Sequence, residues 1–524
     1  LGSSSPTDAL HSASKGYVDA GLASKLPLAG GTLTGPLLLA ADPSDTLGAA
    51  TKGYVDTMSQ RVIVSKLNAR QKADTLLRQM VLTQTGGLIS WGRTFNGNTG
   101  TWYSTDITHP QTRPYFNVAI PAGVTIVDFA TCASHSMCLL SNGWMYSTGQ
   151  NDNGQLGHGD TTQRNVFTRI EYFVTNNITV SKFWTAGSRQ NYSCAMTICQ
   201  ASNGDLYAWG YNANGQLGIN STTNALTPTK ITTLTNVSQV VISDAVICSV
   251  MAIKTNGDLY GWGYNGNGQL GTGNTTQYTT PQLITSAVSK VDITTGGAAS
   301  NNQSSTIVLK TNGDVYTTGY NGYGQLGQGD LTQRTTLTKV ASLSGIIDIG
   351  ITGGYAATCY AVSSANRLYT WGYNGYGTVG DNTTTNATSP YNVNKWAGNL
   401  AQDPPFVGKS FSVFMSTGSN TYNSFLVIDS DGRIFLCGKN SGMVNGSTDS
   451  CLVYNEILPT FSSQSEKAVS AVYMQSDTDM AITIITNLGN IYSVGRNNYG
   501  LCNTGLQSDT PTYRYTLSRQ MLYV

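Results

Sequence analysis

The stretch LYGWGYNGNGQLG, residues 259–271, recurs with few changes as MYSTGQNDNGQLG at 145–157, LYAWGYNANGQLG at 206–218, VYTTGYNGYGQLG at 315–327 and LYTWGYNGYGTVG at 368–380. Repetition of this length means that one supersecondary unit is being copied, so the period decides the architecture. The glycine that ends each short apolar run gives eight anchors: Gly92, Gly149, Gly210, Gly263, Gly319, Gly372, Gly438 and Gly495. Successive spacings are 57, 61, 53, 56, 53, 66 and 57 residues. A unit of that size suits a four-stranded propeller blade and is too long for most solenoids of helix pairs.

Within a unit the pattern is that of strands. TIVLK-TNG-DVYTTG around Asn312-Gly313 reads as two apolar runs joined by a tight turn, and Asn142-Gly143, Asn203-Gly204, Asn256-Gly257 and Asp431-Gly432 hold the same place. Such pairs supply the positive φ that a two-residue hairpin demands. A β-branched run lies upstream, at 237–242 or 346–351, and an outer run follows the polar loop, often opened by proline, at 228–231 and 281–284. Each unit therefore predicts four strands.

The hairpin followed by W-G-x-N-x-x-G-Q-L-G resembles the repeat of the regulator of chromosome condensation family, whose members form β-propellers. The resemblance covers residues 79–524, is specific in the five middle copies and is weaker in the loops at 96–100, 440–446 and 498–505. The expected fold is all-β, with four-stranded blades. The first copy has a hairpin (80–92) and an outer run (114–118) but no clear preceding strand, and a spare apolar piece, 521–524, ends the chain. Joining that C-terminal strand to the first three would close a ring of eight blades. Seven, which the family resemblance favours, is the alternative.

Residues 1–60 read differently. ASKGYVD at 13–19 returns as ATKGYVD at 50–56, a repeat of 37 residues, with LPLAGGTLTG between them at 26–35. So few large apolar residues cannot make a compact core in a single chain. The stretch resembles the shaft repeats of bacteriophage tail fibres, which implies an extended homotrimer. Residues 61–78 lack Gly and Pro and carry Val62, Ile63, Leu67, Leu76 and Leu77, so a short helical neck is expected between shaft and propeller.

Of the 524 residues, 40% are hydrophobic and only 11% charged, with a net charge of +1. Soluble domains carry about 25% charged residues. A surface of Asn, Thr, Ser, Gln, Gly and Tyr is implied, resembling extracellular or virion proteins, and no basic field exists to draw in nucleic acid. No run of about 18 apolar residues is present, so membrane insertion is not expected. The nine cysteines include no CxxC pair, and free buried thiols in a reducing cytoplasm are expected. The chain begins at Leu1 with neither methionine nor a signal-peptide pattern, so it reads as a portion of something longer.

Signals for chemistry are few. His11, His109, His135 and His158 fall at no metal-ligand spacing. The glycine loops lack the Lys-Ser or Lys-Thr helix start of a phosphate cradle. Asp205, Asp258 and Asp314 sit beside hairpin turns, where a turn role outweighs acid-base work. No catalytic residue, metal or cofactor is therefore expected. Trp91, Trp209, Trp262 and Trp371 directly precede their anchors, a repeated position that argues for packing between blades. Tyr211, Tyr264, Tyr320 and Tyr373 directly follow theirs, joined deeper in the loops by Tyr323 and Tyr376. Equivalent loop positions form an arc on one face of a ring, and tyrosine gives broad contact area at little entropic cost. Two aromatic insertions compete as recognition loops: one at 102–116 with Trp102, the other at 391–409 with Trp396.

The reading drawn from sequence is a phage tail fibre, or receptor-binding protein, that is not an enzyme. It would reside in the virion after assembly in the host cytoplasm. Its expected partners are a bacterial surface receptor, glycan or protein, two further copies of itself, and other tail or baseplate proteins. The alternatives are a polysaccharide-degrading tailspike-type enzyme and a protein-binding propeller of the exchange-factor or inhibitor kind.

Overall fold

The structure, a computed structural model, describes residues 64–519 apart from 68–77, 84–87, 93–106, 113–115, 133, 188–193, 244–247, 295–302, 353–355, 396, 398, 416–422, 440–449, 458–464, 476–479 and 497–512. The described residues form eight four-stranded sheets, each with its strands side by side in chain order. Numbered from the N-terminus, sheets 1 to 8 span 64–112, 126–169, 180–235, 237–285, 288–339, 346–392, 411–457 and 468–519.

Sheet 4 shows how sequence makes the unit. Its strands are Val237–Ile242, Ser249–Lys254, Leu259–Gly263 and Tyr278–Thr285. The hairpin turns at Asn256-Gly257, where Gly257 has φ of 87°, and sets the register Ser249↔Gly263, Val250↔Trp262. Third strands end on the predicted anchors Gly92, Gly149, Gly210, Gly263, Gly319, Gly372 and Gly438, with Gly495 one residue inside its strand. Glycine is required there twice over. Gly319 has φ of 105°, and a Cβ on it would lie 2.4 Å from the carbonyl oxygen of Ser304. That carbonyl accepts the Tyr320 amide at 2.9 Å, so the anchor delivers Tyr320 to the start of the loop, as Gly210, Gly263 and Gly372 deliver Tyr211, Tyr264 and Tyr373. Just before the anchor the pairing with the outer strand slips, between Gly261 and Gly263 in sheet 4 and between Thr317 and Gly319 in sheet 5. The bulge turns the intervening residue, Trp262 in sheet 4, away from the outer ladder.

Successive sheets pack through seven shared apolar clusters. Phe129 meets Met80 between sheets 1 and 2, Phe183 meets Met137 between 2 and 3, and Trp262 joins Ile198 between 3 and 4. Val308 joins Met251 between 4 and 5, and Trp371 joins Ile307 between 5 and 6. Phe425 joins Tyr360 between 6 and 7, and Ile482 joins Leu426 between 7 and 8. Ile63–Met521 is one compact unit.

The region at 61–78 corrects an expectation. Val64–Leu67 is a strand, paired antiparallel with Arg78–Thr83 through Val64↔Thr83 and Leu67↔Val81, and it lies in the expected helical neck. A short segment, VSKL, has been captured by a sheet edge, which overrides the weak helical pattern. The same strand completes sheet 1, whose outer strand is Ile107–Thr112 rather than 114–118. Sheet 1 thus has four strands without the C-terminal piece, 521–524, which lies outside the described residues, as does the expected shaft at 1–60. A second correction concerns the thiols. Cys194 and Cys248 form a disulfide across 54 residues, while Cys138, Cys199, Cys359, Cys437 and Cys451 are free thiols and buried, and Cys132 is buried beside His135.

Candidate functional site

The loops after the anchors are rigid before they are anything else. In sheet 5 the buried Asn321 accepts the Leu326 amide at 2.9 Å, and its Nδ2 donates to the carbonyls of Asp330 and Thr332 at 2.9 and 3.1 Å. Asn151, Asn212, Asn265 and Asn374 repeat the first bond to the fifth residue on. Tryptophan then ties one loop to the next sheet. The Nε1 groups of Trp209, Trp262 and Trp371, all fully buried, donate at 3.0, 2.8 and 3.0 Å to the backbone carbonyls of Gln155, Gln216 and Gln325 in the preceding sheet. The expected packing role of these indoles holds.

On this frame the tyrosines fall into two groups. Tyr320 and Tyr323 meet with ring centroids 6.2 Å apart, Tyr323 and Tyr373 edge-on at 5.3 Å, and Tyr373 and Tyr376 at 6.4 Å. The ammonium of Lys439 lies 5.4 Å from the Tyr376 ring centroid and ends the row. Four of the predicted aromatics therefore form one half-buried ladder across sheets 5, 6 and 7, and Tyr211 and Tyr264 stand outside it. Tyr320 and Tyr373 fold back over small residues: a Cβ at Gly322 or Gly375 would lie 2.0 or 2.2 Å from the phenol oxygen. Burial raises the Tyr320 phenol above its ordinary range, so it remains a hydrogen-bond donor near neutrality. The ladder presents ring edges, phenol hydroxyls and one ammonium, a surface suited to recognition. Lys439 was missed in the sequence, although it directly follows an anchor, where the four preceding units have tyrosine.

The competing insertions give little. Trp102 and Trp396 lie outside the described residues. Phe406, in the second insertion, is fully buried, with ring centroids 5.3, 5.1 and 5.2 Å from those of Phe411, Phe435 and Tyr454, so that part of the loop is core. The acids do turn work. Asp205 pairs with Lys230 at 2.6 Å and Asp314 with Lys339 at 2.8 Å, while Asp258 accepts from Ser286 at 2.6 Å. The buried His135 is held among Ser134, Thr185 and Cys132, with Nδ1 3.0 Å from the Ser134 hydroxyl and Nε2 2.8 Å from that of Thr185. Among the described residues no group of three His, Cys, Asp or Glu side chains is placed to hold a metal ion, and no helix is long and apolar enough to cross a membrane.

Residues 142–186, 203–248, 256–300 and 312–359 match the family model described as the regulator of chromosome condensation (RCC1) repeat. These four stretches are thus similar to RCC1 repeats. The chain is 31% identical over 313 residues to the ultraviolet-B receptor UVR8 of Arabidopsis thaliana, covering 58% of this chain and 65% of the receptor. It is 29% identical over 289 residues to the E3 ubiquitin-protein ligase HERC2 of Mus musculus, covering 54% of this chain and 6% of the ligase. Among solved structures it resembles Prp20p of Saccharomyces cerevisiae, reported with its binding to Gsp1p and histones. That likeness has a TM-score of 0.51 at 18% identity and covers 78% of this chain and 92% of Prp20p. The fold is thus an all-β, RCC1-like propeller of four-stranded blades, and the seven-blade alternative fits this likeness.

The tail-fibre reading is overturned by the same matches. It grew from two copies of a seven-residue motif and the intervening LPLAGGTLTG, all between positions 13 and 56, whereas the RCC1-like relatives match 54–58% of the chain and include a plant receptor and a ubiquitin ligase. The bacterial receptor, the homotrimer and the tail or baseplate partners fall with it.

Proposed function

We propose that this chain is a non-catalytic, protein-binding propeller whose docking face carries the loops after the anchor glycines, centred on Tyr320, Tyr323, Tyr373, Tyr376 and Lys439. The observation that carries the reading is the aromatic ladder, which links three successive sheets at 5.3–6.4 Å on a frame of buried asparagine bonds. Aromatic side chains held by a rigid scaffold lose little entropy on docking and are the usual centres of protein interfaces. The RCC1-like relatives support a protein as partner, since Prp20p is reported with Gsp1p and histones. The ring itself belongs to the proposal: eight sheets are present and seven junctions between them are filled, so a closed ring of eight needs one further junction, between sheets 8 and 1. A ring of seven remains the alternative that the likeness to Prp20p fits.

Gsp1p and core histones are the first proteins to offer to the full chain and to a Tyr323→Ala/Tyr373→Ala variant, read by interferometry. Saturable binding that weakens at least about tenfold in the variant, with an unchanged melting temperature, supports the ladder as a hot spot. Equal binding by both chains would remove the ladder from the interface. Release of oligosaccharide from a surface polysaccharide would replace the binding module with an enzyme.

A further inference from the structure

Three junctions between sheets are built on one rule. A Cβ on Gly157, Gly218 or Gly327 would strike the Nε1 of Trp209, Trp262 or Trp371 of the following sheet at 2.8, 2.8 and 2.7 Å, so each glycine makes room for an indole. Between sheets 6 and 7 the tryptophan is replaced by Cys437, and the Tyr454 ring moves into the gap, 3.1 Å from where a Cβ of Gly380 would be. Between sheets 4 and 5 the tryptophan is replaced by Thr318, and nothing as large compensates. A Cβ on Gly271 would meet nothing nearer than Leu337 at 3.2 Å, the Thr318 methyl at 3.4 Å and Ile284 at 3.5 Å.

A cavity of about 330 Å³ opens at this junction, lined by Gly271, Ile284, Lys310, Tyr316, Thr336 and Leu337. The size is at the low end for small-molecule sites. Its walls combine Ile284, Leu337 and Tyr316 with the polar side chains of Thr285 and Thr336, and its one cation is Lys310. The Lys310 ammonium lies 5.8 Å from the Tyr316 ring centroid and donates to the Thr285 hydroxyl and the Ser286 carbonyl, both neutral. No carboxylate pairs with it among the described residues, in contrast to Lys230, Lys290 and Lys339, which pair with Asp205, Asp348 and Asp314. Burial lowers the Lys310 amine below its ordinary range, as expected of a cation short of a counter-charge.

We propose that this junction is a binding site for a small planar aromatic carboxylate, whose ring takes the place of the missing indole and whose carboxylate meets Lys310. The ring gains the contact that Trp209, Trp262 and Trp371 make in their own junctions, and the carboxylate supplies Lys310 with a charge-assisted partner. The site is separate from the tyrosine ladder and stands or falls without it.

Indole-3-acetate is the probe, with indole-3-ethanol as its neutral counterpart, titrated into the full chain by calorimetry. The expected result is one saturable site for the acid and at least about tenfold weaker binding of the alcohol. Lys310→Gln should bring the acid to the level of the alcohol, and Thr318→Trp should abolish binding of both while keeping the melting temperature. If Thr318→Trp does not fold, Leu337→Phe, which narrows the same cavity, should weaken the acid at least about tenfold. Absence of saturable binding by the unaltered chain, or acid binding unchanged by both filling variants, would overturn the proposal.

Discussion

His158 shows what a single side chain does at a junction of this kind. Its Nε2 lies 2.9 Å from the Ser147 hydroxyl, and burial, helped by the Arg164 guanidinium and opposed by Asp160 and Glu171, lowers its pKa from 6.5 to about 4. The unfolded chain takes up this proton below about 6.5, while the folded chain refuses it until about 4. The sign is therefore fixed: no penalty above pH 6.5, and a stability loss that grows as pH falls toward 4, at most about 3 kcal/mol and reduced by the part of the ring that stays wet. Denaturant titrations at pH 7 and pH 4.5 should show this slope in the natural chain and a shallower one in His158→Gln. An equal slope in both would assign the acid sensitivity to other groups. Residues at this scale were legible wherever repetition exposed them. The indoles, loop asparagines and anchor glycines each recur at a fixed offset, so their role can be read without coordinates. Lys439 could be singled out only as a departure from the repeat, and Lys310, which repeats Lys254 before the same Thr-Asn-Gly turn, gave no signal of its own.

Hairpins and their turns were legible because asparagine-glycine pairs impose a backbone conformation that few other residues adopt. The strand Val64–Leu67 was not, because its partner, Arg78–Thr83, lies across a stretch of ten residues with no turn signal, and edge pairing is decided by the sheet rather than the segment. The disulfide is a second element the sequence hid. Cys194 and Cys248 look like two more apolar-run cysteines until successive sheets bring their Cα atoms within 5.6 Å. The bond closes a loop of 54 residues, which in the chain-entropy model stabilises by about 4 kcal/mol. Cys248→Ala should accordingly lower the denaturant midpoint of the oxidised protein, and reductant should bring the natural chain down to the variant. Identical midpoints for oxidised protein and variant would show that the bond contributes nothing to stability.

At the scale of the whole molecule, the period was enough to give an all-β propeller of four-stranded blades, because a blade cannot bury its faces alone and must be repeated. Function was not legible at that scale. A repeat records how modules stack, and the short motif at residues 13–56 carried more of the tail-fibre reading than its length warranted. The N-terminal boundary is testable. A chain starting at residue 68 lacks Val64–Leu67 and leaves Arg78–Thr83 as an open edge, whereas one starting at residue 63 keeps all four strands of sheet 1. The shorter chain should be less stable by about 1–3 kcal/mol in denaturant titration and more prone to self-association. Equal stability would mean that this strand is dispensable to the sheet it borders.

The indole bond from each tryptophan to the glutamine carbonyl of the preceding sheet has a direction, running from Trp209 back to Gln155 and from Trp262 back to Gln216. Plug and socket belong to the same copy, with the plug facing its predecessor and the socket its successor. A gene encoding such a unit can be duplicated in tandem without inventing a new joint, and during synthesis each newly emerged blade that carries the tryptophan finds its socket already made.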